Sequence, residues 1–329
     1  MTPLNKRELH TISFVFPIYN EEESLPHLRR ALEGWMAGHP ELAVEVVLVN
    51  DGSSDGSMTY LREWAGTDGR IHVVSFSRNF GHQAAVTAGL EHAGGAAVVV
   101  MDADLQDPFH AVDLMIGKYE EGYDVVYGRR ASRAGETAFK RLTAWGYYRL
   151  QRALVLESMP VDAGDFRLVS RAAVDALNAL PEKIRFVRGL FAWIGFRHAF
   201  VEYERDARLH GETKYPLKKM LAFAWTGITS FSILPIRFVI GLGFFAALFS
   251  MAYLVYALWQ HFSGNTVEGW TTIVILQTFM GGCILLAVGV VGEYIGKIYE
   301  EVKARPVYIK EFEIRDTREQ RTSGTPPQS

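Results

Sequence analysis

The chain has 329 residues, 34 Lys and Arg against 37 Asp and Glu, and a formal charge of −3 at pH 7. That length suits about two domains with a real core, while the near-neutral balance excludes a basic nucleic-acid binder and the 49% hydrophobic content excludes a disordered chain. The lone cysteine, Cys283, excludes an internal disulfide framework and a cysteine-rich zinc site.

The start, Met1 to His10, is polar and carries no apolar signal run, so the domain after it is expected to stay in the cytoplasm. From there short apolar strands alternate with amphipathic helices. Strands are predicted at Thr11–Phe16, Val44–Val49, Ile71–Phe76, Ala96–Met101 and Asp124–Tyr127. Helical spacing falls near Glu22–Met36, Asp55–Ala65, Gly81–His92 and Pro108–Glu121. The alternation predicts an open α/β fold with a mainly parallel sheet covered on both faces.

Such sheets place ligands beyond the carboxyl ends of their strands. There the sequence puts Pro17-Ile18-Tyr19-Asn20-Glu21-Glu22-Glu23-Ser24, Asn50-Asp51-Gly52-Ser53-Ser54-Asp55-Gly56 and Asp102-Ala103-Asp104-Leu105-Gln106-Asp107-Pro108. Acids can serve helix N-termini and Asp-Gly can serve turns, but three acidic segments on one rim call for a ligand. Glutamates after the first strand would repel a bare pyrophosphate, and no P-loop is present. A divalent cation would reconcile an acidic rim with a nucleotide diphosphate. Asp102, Asp104 and Gln106 share an alternate spacing that, on an extended segment, brings hard oxygen donors together for Mg²⁺ or Mn²⁺. Asp51, at the neighbouring strand end, could accept hydrogen bonds from a base or ribose.

Further along, no charged residue occurs from Phe238 to Trp259 or from Gly269 to Gly292. Each run reaches the ~20 residues that a membrane-spanning helix needs, and Trp259 and Trp270 stand at their ends, where aromatic rings prefer the interface. The loop Gln260–Gly269 has no Lys or Arg, whereas Lys214, Lys218, Lys219 and Arg237 precede the spans and Lys297, Lys303 and Arg305 come after them. The positive-inside rule therefore puts both ends in the cytoplasm and the loop outside. A basic stretch with a tryptophan, Tyr215–Ser230, suits an interfacial helix. The tail Thr317–Ser329 reads as disordered. The resulting divisions are a catalytic domain over 1–214, an interfacial region over 215–232, two spans over 233–298 and a C-terminal tail over 299–329.

The three rim segments, with Ser77-Arg78-Asn79-Phe80-Gly81-His82-Gln83 and Arg208-Leu209-His210-Gly211-Glu212-Thr213-Lys214-Tyr215, resemble the motifs of inverting family-2 glycosyltransferases of GT-A fold. Within these they are most similar to polyprenyl-phosphate glycosyltransferases, the group of dolichol-phosphate mannose synthases and bactoprenol glucosyltransferases. The resemblance covers most of Ile12 to Arg305 and implies a GT-A domain followed by two transmembrane helices. It implies a nucleotide pocket at Pro17, Tyr19, Glu21 and Asp51, with Asp102 and Ala103 at the sugar-nucleotide phosphate. Metal ligands map to Asp104 and Gln106, and phosphate binders to Arg208 and Lys214 with Arg205 nearby. His82 is a departure, since relatives often have lysine there.

On that reading Arg129, Arg133, Lys140 and Arg141 are candidate cations for a lipid monophosphate. In relatives Asp162-Ala163-Gly164-Asp165-Phe166-Arg167 lies at the active site, which makes Asp165 a candidate carboxylate there; a buried ion pair with arginine is its plainer reading. The implied reaction is transfer of a hexose, glucose from UDP-glucose, to a polyprenyl phosphate at the membrane, with inversion. GDP-mannose or an aminoarabinose donor is the nearest alternative. A processive polysaccharide synthase would carry Q-x-x-R-W, but Arg185-Phe186-Val187-Arg188-Gly189 lacks both Gln and Trp. An inactive membrane scaffold is the non-enzymatic alternative. Gly292 and Gly296 make a small-x-x-x-small pair which, with the resemblance, leans toward a homo-oligomer.

Overall fold

The computed structural model describes residues 6–130, 163–204, 234–264, 269–315 and 318–321. Its contacts divide the chain into one unit of Met1–Leu217 with Pro306–Ser329, and a second of Lys218–Arg305.

The first unit is built on one sheet. Its strands are β1 (Thr11–Ile18), β2 (Ala43–Asn50), β3 (Ile71–Phe76), β4 (Ala97–Val100), β5 (Val125–Arg130), β6 (Ala163–Ser170), β7 (His198–Tyr203), β8 (Lys310–Arg315) and β9 (Arg318–Arg321). Between them lie α1 (Leu25–Gly38), α2 (Ser57–Thr67), α3 (His82–His92), α4 (His110–Glu120), α5 (Arg171–Asn178) and α6 (Val187–Trp193). The spatial order is β7-β5-β6-β4-β1-β2-β3-β8-β9. The pairings β1–β2, β1–β4, β2–β3 and β5–β7 are parallel, and β6 and β8 run against their neighbours. The sheet is thus mainly parallel, as the alternating pattern predicts. Val46, Leu48, Val73 and Val99 are fully buried, as expected of strands covered on both faces.

All five predicted strands form. Four more, β6 to β9, are not among the predicted strands, because their charged and short stretches lack the uniform apolar run of the central strands. One consequence falls on the tail: Arg318–Arg321, inside the segment read as disordered, pairs antiparallel with β8. The C-terminal stretch rejoins the first unit, where β8 lies along β3 and buries Phe312 and Ile314. Tyr308 stacks on Phe76 at 4.6 Å between ring centroids and donates from its hydroxyl to Glu91, 2.6 Å away.

Two features position the rim. The sheet order reverses at β1, with β2 on one side and β4 on the other, which is the switch point where a crevice opens in doubly wound sheets. β6 runs antiparallel beside β4 with Val100 opposite Arg167. Continuing that register by two residues sets Asp165 opposite Asp102, so reversing one strand brings a carboxylate from its start to the same rim as the ends of its neighbours.

The second unit contains α7 (Leu234–Phe262) and α8 (Trp270–Val302). At 29 and 33 residues and ~1.5 Å rise per residue, both exceed the ~30 Å of a bilayer's apolar core. Their apolar side chains are exposed, Phe245, Phe262 and Leu285 among them. They are long and apolar enough to cross a membrane. The interfacial stretch 215–232 lies outside the described residues.

Candidate active site

The turns after β1 and β2 are laced together. Asn20 takes φ +56°, a conformation that asparagine tolerates better than most residues. Its backbone N–H donates to Ser53 Oγ at 3.0 Å, and its Oδ1 accepts from Ser54 N at 2.8 Å. Glu22 Oε2 accepts from Gly56 N at 2.8 Å while Glu22 N donates to Asp55 Oδ2 at 3.2 Å. Glu21 binds Ser24 Oγ through its carboxylate at 2.7 Å. Pro17 is half-buried at the end of β1, and Tyr19 stands 49% exposed on the rim.

Asp51 is buried and faces the loop after β3. Its Oδ1 accepts from Phe80 N at 2.6 Å and its Oδ2 from Gly81 N at 3.0 Å. Burial pushes its carboxyl above the ordinary value against those two donors. The structure therefore gives Asp51 a positioning duty toward residues 80 and 81, in addition to any ligand contact. The same approach fixes Gly52, whose φ is +65° and whose added Cβ would collide with the Arg78 carbonyl carbon. Gly52→Ala is expected to cost about 2 kcal/mol or more through strain and loop displacement. A lowered melting midpoint and weaker nucleotide binding would check this together.

After β4 the chain turns instead of continuing extended. Leu105 takes φ +56°, Gln106 N donates to Asp104 Oδ1 at 3.2 Å, and Gln106 is buried. The alternate spacing of Asp102, Asp104 and Gln106 is thus carried round a turn, which corrects the extended segment that the sequence suggested. Ala103 is buried, and Asp107 accepts a hydrogen bond from the Tyr203 hydroxyl.

The centre of the rim is Asp165, 8% exposed at its side chain. Arg188 grips it with two donors, Nε to Oδ1 at 2.8 Å and Nη2 to Oδ2 at 2.7 Å. Arg167 Nη2 adds a bond to Oδ1 at 3.0 Å, and His82 Nε2 lies 3.1 Å from Oδ2. Burial alone would raise this carboxyl; the hydrogen bonds of Arg188 and His82 and the charges of Arg188 and Arg167 hold it well below the ordinary carboxylate range. The buried ion pair of the plainer reading is present, and it sits on the rim.

Asp102 has a different fate. Burial raises its carboxyl, His82 at 4.0 Å opposes this, and Asp165, Asp104 and Asp107 add repulsion, so that it is pushed up to about 6. Carboxylates crowded this way favour a cation. Among the described residues no three His, Cys, Asp or Glu side chains converge to cage a metal. The donor set of Asp104 and Gln106, carboxylate and amide oxygens beside further carboxylates, suits an ion of the Mg²⁺ type, which keeps waters and takes substrate phosphates to complete its shell.

Of the remaining candidates, Arg129 on β5 lies 4.2 Å from the Phe200 ring centroid and 4.0 Å from Glu202 Oε1. Arg133, Lys140, Arg141, Arg205, Arg208 and Lys214 lie outside the described residues. Arg188 escapes the sequence reading as a site residue, and Arg167 enters it only as the last residue of the segment Asp162–Arg167. The signal for Arg188 is its place in Arg185-Phe186-Val187-Arg188-Gly189, which reads there only as a failed Q-x-x-R-W.

A carboxylate rim at the switch point of a mainly parallel sheet is the GT-A arrangement. The chain belongs to glycosyl transferase family 2, which it matches over residues 13–177. It is 46% identical to an uncharacterized glycosyltransferase of Bacillus subtilis (strain 168) over 309 residues, 93% of this chain and 95% of that one. It is 39% identical to the bactoprenol glucosyl transferase of Shigella phage SfII over 302 residues, 91% of this chain and 96% of that one. Among solved structures, a mannosyltransferase from Pyrobaculum calidifontis in complex with GDP-Man and Mn²⁺ aligns at a TM-score of 0.45 and 17% identity, covering 87% of this chain and 89% of that one.

Proposed function

We propose that this chain transfers glucose from UDP-glucose to a polyprenyl phosphate, such as undecaprenyl phosphate, at the cytoplasmic face of a membrane. The observation that carries the reading is the likeness to the phage bactoprenol glucosyl transferase, which spans 91% of the chain and so takes in most of the paired helices as well as the rim. A water-soluble acceptor would need no such pair.

The chain leaves the first unit before Lys218 and is back in it after Arg305. Two crossings in between would return it to the side it left, and the basic flanks on Lys214, Lys218, Lys219, Lys297, Lys303 and Arg305 favour the cytoplasm. The product, a sugar on a lipid phosphate, would serve as a donor for glycosylation of the cell envelope. A homo-oligomer is part of the same reading.

In the proposed reaction a phosphate oxygen of the acceptor attacks the anomeric carbon. The bond from that carbon to the β-phosphate oxygen of the donor breaks, UDP departs, and the configuration inverts. A phosphate monoester is largely ionised near neutral pH, so no strong base is needed. Asp165 fits this economy: a carboxylate held far below its ordinary range is a poor proton acceptor, and it orients and balances charge instead. Pro17, Tyr19, Glu21 and Asp51 would seat the nucleotide, with Asp102 and Ala103 at its phosphates. Asp104 and Gln106 would hold Mg²⁺ or Mn²⁺, which when bound supplies charge neutralisation for the departing diphosphate. Arg208, Lys214 and Arg205 would meet the phosphate groups, with Arg129, Arg133, Lys140 and Arg141 toward the lipid phosphate.

The test is to incubate the purified protein with UDP- and GDP-sugars and undecaprenyl phosphate and to weigh the lipid product. A hexose-bearing lipid phosphate from UDP-glucose is expected. A product from GDP-mannose alone would overturn the choice of sugar, and no lipid product from any donor would overturn the reading.

A further inference from the structure

His82 is the first residue of α3, and its place is set from two directions. The preceding residue, Gly81, takes φ +98°, and its N–H is bound by Asp51. The imidazole then reaches across the rim, where one ring nitrogen, Nε2, lies 3.1 Å from Asp165 Oδ2 and 4.0 Å from Asp102 Oδ1. A lone pair aimed at two carboxylates would be repelled, so that nitrogen carries the proton. Two carboxylates within 4.0 Å of that one nitrogen favour the charged imidazolium, while Arg188, which shares Asp165 with the ring, opposes it. Asp51 also feels the His82 charge. The ring is 41% exposed at its side chain, which leaves it open to the crevice, unlike Arg167 at 1%.

The two carboxylates that His82 meets differ sharply. Asp165 is gripped by Arg188 and Arg167 from its own side of the rim. For Asp102 the ion pair across the rim is with His82. The loop 78–82 thus joins the end of the crevice where Asp51 lies to the end where Asp102 lies.

We propose that His82 is a positioning residue whose positive charge bridges Asp165 and Asp102, holding the ends of β4 and β6 together and offsetting their negative charge where the donor's diphosphate must lie. This rests on reading Asp102 as facing that diphosphate. Without the bridge, Asp102 and Asp165 repel each other and repel the diphosphate, so the loss falls on donor affinity.

The experiment compares full-length wild-type protein with His82→Gln, which keeps a polar group but no charge, and His82→Lys, which keeps the charge. UDP and GDP are titrated calorimetrically in the presence of Mn²⁺, and KM and kcat are measured with UDP-glucose and undecaprenyl phosphate. Loss of a charge-assisted contact is expected to weaken nucleotide-diphosphate binding about tenfold in His82→Gln and to raise the donor KM in step, with kcat changed less. His82→Lys is expected to return affinity to within about threefold of wild type. Wild-type affinity in His82→Gln, or a His82→Lys protein as weak as His82→Gln, would overturn the proposal. Should His82→Gln melt early, His82→Lys carries the test, with near-wild-type affinity expected and a tenfold loss overturning it. A wild-type protein that binds UDP but forms no glycolipid would defeat the proposed transfer reaction and leave the His82 comparison to be decided by the titration.

Discussion

Asp104→Asn is expected to abolish metal-dependent transfer, lowering kcat by at least about 10²–10³-fold, the scale on which removal of one preorganised charge-stabilising group is felt. The substitution is nearly isosteric, and the amide oxygen can still accept from Gln106 N as the carboxylate does now. Stability should therefore change by less than about 0.5 kcal/mol. The loss is that of the anionic donor. An amide oxygen binds a hard divalent cation far less well than a carboxylate, and beside Asp102, already pushed up to about 6 by burial and by its acidic neighbours, the site would keep the crowding but lose the anionic ligand proposed for it. The measurements are initial rates across a Mn²⁺ titration and a thermal melt in the same detergent. Full turnover with an unchanged Mn²⁺ dependence would remove Asp104 from the metal site. A collapsed melting midpoint would instead assign it a structural duty.

The layout of this site is legible in the sequence to the extent that it depends on strand ends. Strands with an uninterrupted apolar run, such as Val46–Val49 and Ala97–Val100, declare themselves, and the residues just after each of them must come to one edge of a parallel sheet. That argument places Tyr19, Glu21, Asp51, Asp102 and Asp104 together without any coordinates. It fails where direction reverses. β6 has charge at Asp165 and Arg167 within it, so its apolar signal is broken, and nothing local tells that it runs antiparallel between β4 and β5. Yet that reversal is what brings Asp165 to the rim. Arg188 is hidden for a related reason: its partner is 23 residues away, and only the packing of α6 closes that gap. The C-terminal strand is masked by polar composition, because β9 at the sheet edge needs little apolar surface and Arg318-Glu319-Gln320-Arg321 looks like solvent-exposed tail.

Asp165→Asn should give the largest loss of stability at the rim, about 3–5 kcal/mol, together with loss of transfer. Arg167 decides the magnitude. Its side chain is 1% exposed, its Nη1 has no partner among the described residues, and its Nη2 leans on Asp165 Oδ1. Burial already lowers the pKa of this guanidinium, while the Asp165 charge opposes that shift. Removing the counter-charge strands a buried cation, which costs about 3–5 kcal/mol, a large share of the ~5–15 kcal/mol that holds a domain together. The asparagine NH₂ would also face a donor, Arg188 or His82, where the carboxylate accepted from both. Arg188→Met should cost less, since Arg188 is one-third exposed and Arg167 would still neutralise Asp165. The pH dependence has a definite sign. The Asp165 carboxyl is held well below its ordinary 3.8, so the native state binds its proton less readily than the unfolded chain does. Its stabilising share is complete above about pH 4 and drains away as pH falls through the depressed native value. Thermal melts of wild type and Asp165→Asn from neutral to acid pH should therefore differ most above pH 4 and converge below it. A constant gap at all pH values, or none at pH 7, would mean that Asp165 does not carry this charge in the folded protein.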